Sequence, residues 1–184
     1  MQNKTEIRRA LLAARNAIPA AQRASLDSAI AAKILDWWRG ARAPSIGVYW
    51  PMRGEPDLHS LYEELAARGV RLALPSAAEA GRPLQFLAWT PGELVVTDRF
   101  GAGVPAAGSG VLQPHALIIP CVGFDRARFR LGYGGGFYDR TLAHAPRPYT
   151  LGVAYDIAET RFEVDPYDVA LDRIVTNGAE LIGA

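Results

Sequence analysis

Ile7, Leu11, Ala14 and Ile18 recur at helical spacing, and Lys4, Arg8 and Arg15 fall together on another face of the same helix. Pro19 separates this helix from a second, whose apolar stripe is Leu26, Ile30, Ile34 and Trp37, with Gly40 and Pro44 as its stop. The period then changes. SIGVYW (Ser45–Trp50) is a β-branched and aromatic run closed by Pro51, which predicts a strand. Leu58, Leu61, Tyr62 and Leu65 predict the next helix, with Asp57 as its N-cap and Gly69 beyond its end. VRLAL (Val70–Leu74) predicts a further strand, ended by Pro75. Strand, helix and strand in so short a stretch form a βαβ unit, which requires parallel pairing.

Later segments extend the same plan. LQFLAW (Leu84–Trp89), HALIIP (His115–Pro120) and YTLGVAY (Tyr149–Tyr155) read as strands, and DRIVTN (Asp172–Asn177) as a last short one. Thr90 to Pro114 is rich in Gly and Pro and predicts an irregular surface connection. A helix is expected from about Phe137 to Ala145. No repeat or linker divides the chain. The expected architecture is α/β: one three-layer domain over residues 1–184, with a mostly parallel sheet and helices on both faces.

Composition narrows the chemistry. A formal net charge of +1 gives no broad basic surface for nucleic acid, so an anionic ligand needs a local cluster of cations. The lone cysteine, Cys121, lies in the apolar run ALIIPCVGF and reads as a buried structural thiol. His59, His115 and His144 show no metal-ligand spacing with it, which argues against zinc. The opening MQNKTEIRR has no signal-like apolar stretch and no run reaches membrane-spanning length, so a cytoplasmic address is expected.

The informative segment is GFDRARFRLGYGGGFYDRTL (Gly123–Leu142). Gly132, Gly134, Gly135 and Gly136 cluster just before a predicted helix. Glycine permits positive φ and close backbone approach, and amides at a helix start point outward as donors. Arg130 and Arg140 flank the cluster with forked donors suited to phosphate oxygens. A glycine-rich turn that merely reverses the chain is the plain alternative. The segment matches neither the Walker pattern nor the dinucleotide fingerprint. The two arginines, with Tyr133, Tyr138 and Asp139, favour anion binding over that alternative.

RLGYGGGFYDR, preceded by PCVGFD, closely resembles the signature of the 5-formyltetrahydrofolate cyclo-ligases, also called methenyltetrahydrofolate synthetases. The opening KTEIR with Arg15, the segment IGVYWPMRGEPD and the tail VDPYDVALDRIVT resemble further family segments in the family's order. The resemblance implies an ATP-dependent enzyme converting 5-formyltetrahydrofolate to 5,10-methenyltetrahydrofolate with release of ADP and phosphate. In the family mechanism the formyl oxygen attacks the γ-phosphate, and the neighbouring folate amine then closes the ring as phosphate departs. Two alternatives stay open: a paralogue acting on another formylated folate-like compound, and a non-catalytic nucleotide-binding module.

By matching positions, the resemblance implies that ATP meets Lys4 and Arg8 together with Arg130, Leu131, Gly132, Tyr133, Gly134, Gly135, Gly136, Phe137 and Tyr138. It implies folate contacts at Trp50, Glu55 and Tyr133, and Mg2+ on Asp139 and Asp168, with Asp165 and Asp172 as competing neighbours of the latter. Without the resemblance, Lys4 and Arg8 would read as a solvated basic helix face. One departure stands out. The family often has an acidic residue before the proline of its long central connection, where this chain reads GAGVPAAG with Val104 before Pro105. In a parallel sheet the loops leaving Trp50 and Ile119 are expected to face one crevice. The partners implied are small molecules; no nucleic acid, membrane or protein partner is expected.

Overall fold

The structure, a computed structural model, describes residues 3–106 and 109–183. Helix α1 (Lys4–Asn16) starts from a capping box, in which Asn3 accepts from the Thr5 and Glu6 amides and Glu6 reaches back to the Asn3 amide. Its inward face differs from the expected one. Ile7 and Arg15 are buried, whereas Ala14 is exposed. Helix α2 (Ala20–Ala41) continues through Gly40 and closes at Arg42 in left-handed backbone. Its buried stripe runs Ile30, Ile34, Leu35 and Trp38, leaving Trp37 only partly buried.

Strand β1 (Ser45–Gly47), helix α3 (His59–Ala67) and strand β2 (Arg71–Ser76) form the expected βαβ unit, with β1 and β2 parallel. Helix α3 ends in a Schellman motif: the Gly69 amide donates to Ala66 O and the Val70 amide to Leu65 O, with Gly69 at φ +87°. Asp57 accepts from the His59 amide at 3.0 Å, although helical backbone begins only at His59. Strand β2 does not end at Pro75. β1 pairs with it only as far as Ala73, so at Pro75 the strand has β3 on one side and, among the described residues, no partner strand on the other. A residue without an amide hydrogen is tolerated at such a place.

Strand β3 (Gln85–Trp89) lies antiparallel to β2. The stretch Thr90–Pro114, expected to be irregular, instead contains β4 (Val95–Thr97) and β5 (Gly103–Pro105), which pair as an antiparallel two-stranded sheet, and β6 (Val111–Leu112), which pairs with β3. Residues 107 and 108 of this stretch lie outside the described residues. Then follow β7 (Ala116–Pro120), a small pair of β8 (Gly123–Phe124) and β9 (Arg130–Leu131), helix α4 (Phe137–Leu142), β10 (Tyr149–Val153), β11 (Arg173–Val175) and β12 (Glu180–Ile182). Helix α4 stops three residues short of the expected Ala145.

The main sheet has the order β12-β11-β10-β7-β1-β2-β3-β6. Its five central strands, β11 to β2, are parallel, and the outer strands β12, β3 and β6 are antiparallel to their neighbours. Alternate strand residues face opposite sides. Ile46, Leu72, Leu74, Ile118 and Val153 pack with α2 and α3, whereas Ala73, Leu117, Ile119 and Ile174 pack with Phe86, Leu171 and Leu142 of α4. Helical cover is therefore uneven: two helices lie on one face, and α4 shares the other with irregular chain. From β1 the chain winds one way to β2, and from β7 the other way to β10, so the order of strands reverses between β1 and β7. Ligands of open α/β sheets sit beyond the carboxyl ends of strands at such a reversal. No helix among the described residues is long and apolar enough to cross a membrane.

Candidate active site

A cavity of about 440 Å³ lies at that reversal, within the range of small-molecule sites. Tyr49, Trp50, Met52, Arg53 and Glu55, which follow β1, form one wall; Pro75 and Ala77 at the end of β2 and Pro120 at the end of β7 add to it. The glycine-rich segment Arg130–Asp139 forms the facing wall, and Lys4 and Arg8 of α1 and Asp165 and Asp168 of the tail complete it. The residues to which the family resemblance assigns nucleotide, folate or metal therefore all face this one space, from Lys4 and Arg8 through Trp50, Glu55 and Arg130–Asp139 to Asp168.

The loop after β1 is held from beneath. The buried Tyr49 hydroxyl donates to Pro56 O at 2.7 Å, and the buried Tyr62 hydroxyl of α3 donates to Tyr49 O at 3.0 Å. From the other side Arg23 donates to Gly54 O and Arg15 to Arg53 O, where Arg53 and Gly54 have positive φ. These ties place Glu55, only 5% exposed, against the cavity. Its Oε2 accepts from the Met52 amide at 3.0 Å and its Oε1 from the Tyr133 hydroxyl at 2.6 Å. Burial pushes the Glu55 carboxyl above the usual carboxylate range, against these two donors and the Arg15 and Arg53 charges.

The phosphate side depends on side chains more than on a helix end. Helix α4 has only six residues, so its dipole contributes little. Gly134 at φ +98° and Gly136 at φ +64° adopt backbone that side-chain-bearing residues rarely take, and this lets the segment turn around the cavity. Arg8 Nε donates to Gly132 O at 2.7 Å and ties α1 to the segment. Arg130 is 8% exposed and its Nη2 lies 3.0 Å from Asp139 Oδ2, an ion pair without hydrogen-bond geometry. Its Nε and Nη2 make no hydrogen bond among the described residues. A buried guanidinium with idle donors beside a cavity is suited to an anion's oxygens. Arg140, expected to flank the site, folds back instead to donate to Gly135 O at 2.5 Å and is not part of the cavity wall.

Two carboxylates meet Lys4: Asp165 Oδ2 at 2.5 Å and Asp168 Oδ2 at 3.0 Å. Burial pulls the ammonium down, but its bonds to these carboxylates outweigh it and leave Lys4 above its ordinary value. The Asp172 carboxylate, a competing neighbour in sequence, accepts from Thr150 and Arg147 and lies outside the cavity wall. Asp139 Oδ1 accepts from the Val169 amide at 3.2 Å. Cys121 is buried, and burial pushes its thiol up to about 12, as suits an inert core residue.

Sequence reasoning missed part of the wall. Phe100 and Ala102 come from the β4–β5 connection, Gly103 opens β5, and Leu84 precedes β3. A Cβ on Gly103 would lie 2.5 Å from Trp50 Cγ, so only glycine lets this connection close on Trp50. Val104, the departure from the family pattern, is buried in β5 and paired with Val96 rather than facing the cavity.

Comparison with known proteins bears on the family and the fold. The model of the 5-formyltetrahydrofolate cyclo-ligase family matches residues 1–177. The chain is 30% identical over 187 residues to a 5-formyltetrahydrofolate cyclo-ligase of Mycolicibacterium smegmatis, covering 95% of this chain and 94% of that one. It is 31% identical over 171 residues to the enzyme of that name from Escherichia coli (strain K12), covering 88% and 93%. The solved structure of a 5,10-methenyltetrahydrofolate synthetase from Aquifex aeolicus superposes with TM-score 0.81 at 25% identity, covering 96% of this chain and 91% of that one. One from Mycoplasma pneumoniae shares the fold with TM-score 0.82 at 23% identity, covering 96% and 100%.

Proposed function

The chain belongs to the 5-formyltetrahydrofolate cyclo-ligase family, and from that premise we propose that its cavity converts 5-formyltetrahydrofolate and ATP to 5,10-methenyltetrahydrofolate, ADP and phosphate. One observation supports this reading above the others. A buried arginine with idle donors and a buried carboxylate with spare acceptor capacity face the same cavity. The first suits a polyphosphate and the second the donor edge of a pterin.

The reaction asks mainly for positioning and charge neutralisation. Arg130, Lys4, Arg8 and the amides of Gly132–Gly136 take the phosphates. Trp50 and Tyr133 flank the flat ring, and Glu55 accepts from its amino and amide hydrogens. The formyl oxygen attacks the γ-phosphorus and ADP leaves. The folate amine then adds to the activated formyl carbon and loses its proton, and the C–O bond to phosphate breaks. Pro75, Leu84, Phe100 and Phe137 line the cavity and help exclude water, which would otherwise compete for the activated formyl group.

Magnesium is the finer part of this reading. Mg2+ takes one or two carboxylates together with phosphate oxygens and water, so Asp139 and Asp168 are a sufficient protein share. Both face the cavity, and each keeps acceptor capacity beyond its present partners. When bound, the ion would supply charge neutralisation at the phosphate oxygens. Asp139→Asn and Asp168→Asn should each raise the Mg2+ concentration for half-maximal turnover by about tenfold, equivalent to about 1.4 kcal/mol. Unaltered Mg2+ dependence in Asp168→Asn, with impairment in Asp165→Asn, would move the ligand to Asp165.

We place the enzyme in the cytoplasm, and we read residues 1–184 as one catalytic unit. The direct test is release of ADP by purified protein that depends on added 5-formyltetrahydrofolate.

A further inference from the structure

Arg15 stands out among the cations of α1. It is 5% exposed, although it lies on the helix face that also carries Lys4 and Arg8, and it lines no part of the cavity. No carboxylate pairs with it among the described residues. Its guanidinium donates through Nη2 to the Tyr133 hydroxyl at 2.7 Å, through Nε to Arg53 O at 3.1 Å and through Nη1 to Cys121 O at 3.5 Å. It thus joins α1 to the loop that carries Glu55, to the end of β7 and to the glycine-rich segment.

The bond to Tyr133 has a directional consequence. A guanidinium has donors only, so the Tyr133 hydroxyl can meet Arg15 only as an acceptor. Its single hydrogen must then point elsewhere, and Glu55 Oε1 lies 2.6 Å from the hydroxyl oxygen. Arg15 therefore holds the hydroxyl oxygen as an acceptor and leaves its hydrogen for Glu55, the direction that an ionised carboxylate also requires. A direct Arg15–Glu55 pair would occupy the carboxylate with two forked bonds. The interposed phenol takes one acceptor site and leaves others for a ligand.

We propose that Arg15 is a positioning residue for substrate recognition, acting through the Tyr133 hydroxyl to set the Glu55 carboxylate against the cavity, where it accepts from the donor edge of the folate ring. The proposal rests on the reading that Glu55 holds folate. It adds what aims Glu55, a role that no residue of the glycine-rich segment can fill alone because the orienting donor comes from α1.

The electrostatics point the same way. Glu55 is faced by Arg15 from α1, Arg53 from its own loop, Tyr133 and Tyr138 from the glycine-rich side, Tyr49 after β1, Tyr62 from α3 and Cys121 after β7. Burial raises the four phenols and the thiol, so only the two arginines are charged there around neutral pH. Burial also raises Glu55, while Tyr133, Arg15 and Arg53 pull it down. Removing Arg15 or the Tyr133 hydroxyl lets Glu55 rise further, so it binds its proton at a higher pH. Folate recognition should then fail at a less acidic pH than in the parent.

The test is steady-state kinetics across pH, with ATP and 5-formyltetrahydrofolate varied separately, on Arg15→Met, Arg15→Lys, Tyr133→Phe and the double variant Arg15→Met/Tyr133→Phe. We expect KM for the folate to rise about tenfold in Arg15→Met and Tyr133→Phe while KM for ATP moves less than about twofold. The acid limb of the folate profile should shift to higher pH, Arg15→Lys should recover part of the loss, and the double variant should be no worse than the poorer single one. Multiplicative losses in the double variant, or equal rises in both KM values, would overturn the proposal. Should Arg15→Met fail to fold, Arg15→Lys and Tyr133→Phe decide alone, and an unchanged folate KM in both overturns it. A parent protein that does not turn over 5-formyltetrahydrofolate refutes the underlying reading; an active parent with insensitive variants refutes only the role of Arg15.

Discussion

Replacing Arg130 by methionine should lower kcat/KM for ATP by roughly 30- to 5000-fold, corresponding to the ~2–5 kcal/mol lost when one partner of a buried charge pair is truncated. Two losses combine. The cavity loses a guanidinium whose Nε and Nη2 make no hydrogen bond among the described residues, and Asp139 loses the cation 3.0 Å from its Oδ2. Methionine fills much of the same volume, and Tyr138 still packs where the guanidinium lay over its ring. KM for 5-formyltetrahydrofolate should stay within about threefold of the parent, because Glu55 and Trp50 are untouched. Lysine would not restore the function, since a point charge cannot present the same fork. The measurement is kcat and KM for both substrates, with a thermal melt to show that the variant is folded. Parent-like ATP kinetics in a folded Arg130→Met protein would remove the phosphates from this wall.

Glu55→Gln separates folate recognition from nucleotide recognition. Glutamine keeps the shape but has one carbonyl oxygen for two donors, the Met52 amide and the Tyr133 hydroxyl. It also presents an amide donor where the pterin edge needs acceptors. Folate affinity should fall by about 1–3 kcal/mol, the range for losing a hydrogen bond to a charged group, and ATP affinity should be nearly unchanged. Stability should move the other way. Burial holds the folded Glu55 carboxyl above its unfolded value. Below the unfolded value both states are protonated and the group has no effect. As pH rises through the folded value the native state acquires a buried charge, and stability falls. Glu55→Gln removes that penalty, so its Tm at neutral pH should be no lower than the parent's. Folate and ATP titrations with a melt at each pH check this. A Tm well below the parent's, with equal loss of both ligands, would give Glu55 a structural role.

Much of this site was readable before the fold because its parts are local. The glycine cluster, its arginines and the tail acids are short segments whose residue types suggest their chemistry directly. The periodicity of α3 and the apolar run of β7 also gave their elements without tertiary information. What escaped is nonlocal. Strands of two or three residues such as β6, β8 and β12 are too short to show a period, and only pairing with distant chain defines them. The Thr90–Pro114 stretch looked like surface loop because its glycines and prolines hide the β4–β5 pairing that carries Gly103 onto Trp50. Arg15 reads as one more solvated cation by helical spacing, yet it is buried while Ala14 is exposed. Its partner Tyr133 is 118 positions away, and Tyr133 meets Glu55 across 78, so no window along the sequence contains the relay.

The central claim is that one cavity couples ATP cleavage to closure of the folate ring. It is tested most directly by following the methenyl chromophore and ADP together in one reaction of purified protein, ATP, Mg2+ and 5-formyltetrahydrofolate. The account predicts that both appear at the same rate, one ADP per methenyl group, and that neither appears when ATP or the folate is omitted. ADP release indifferent to the folate, or binding of ATP without any chromophore, would contradict it.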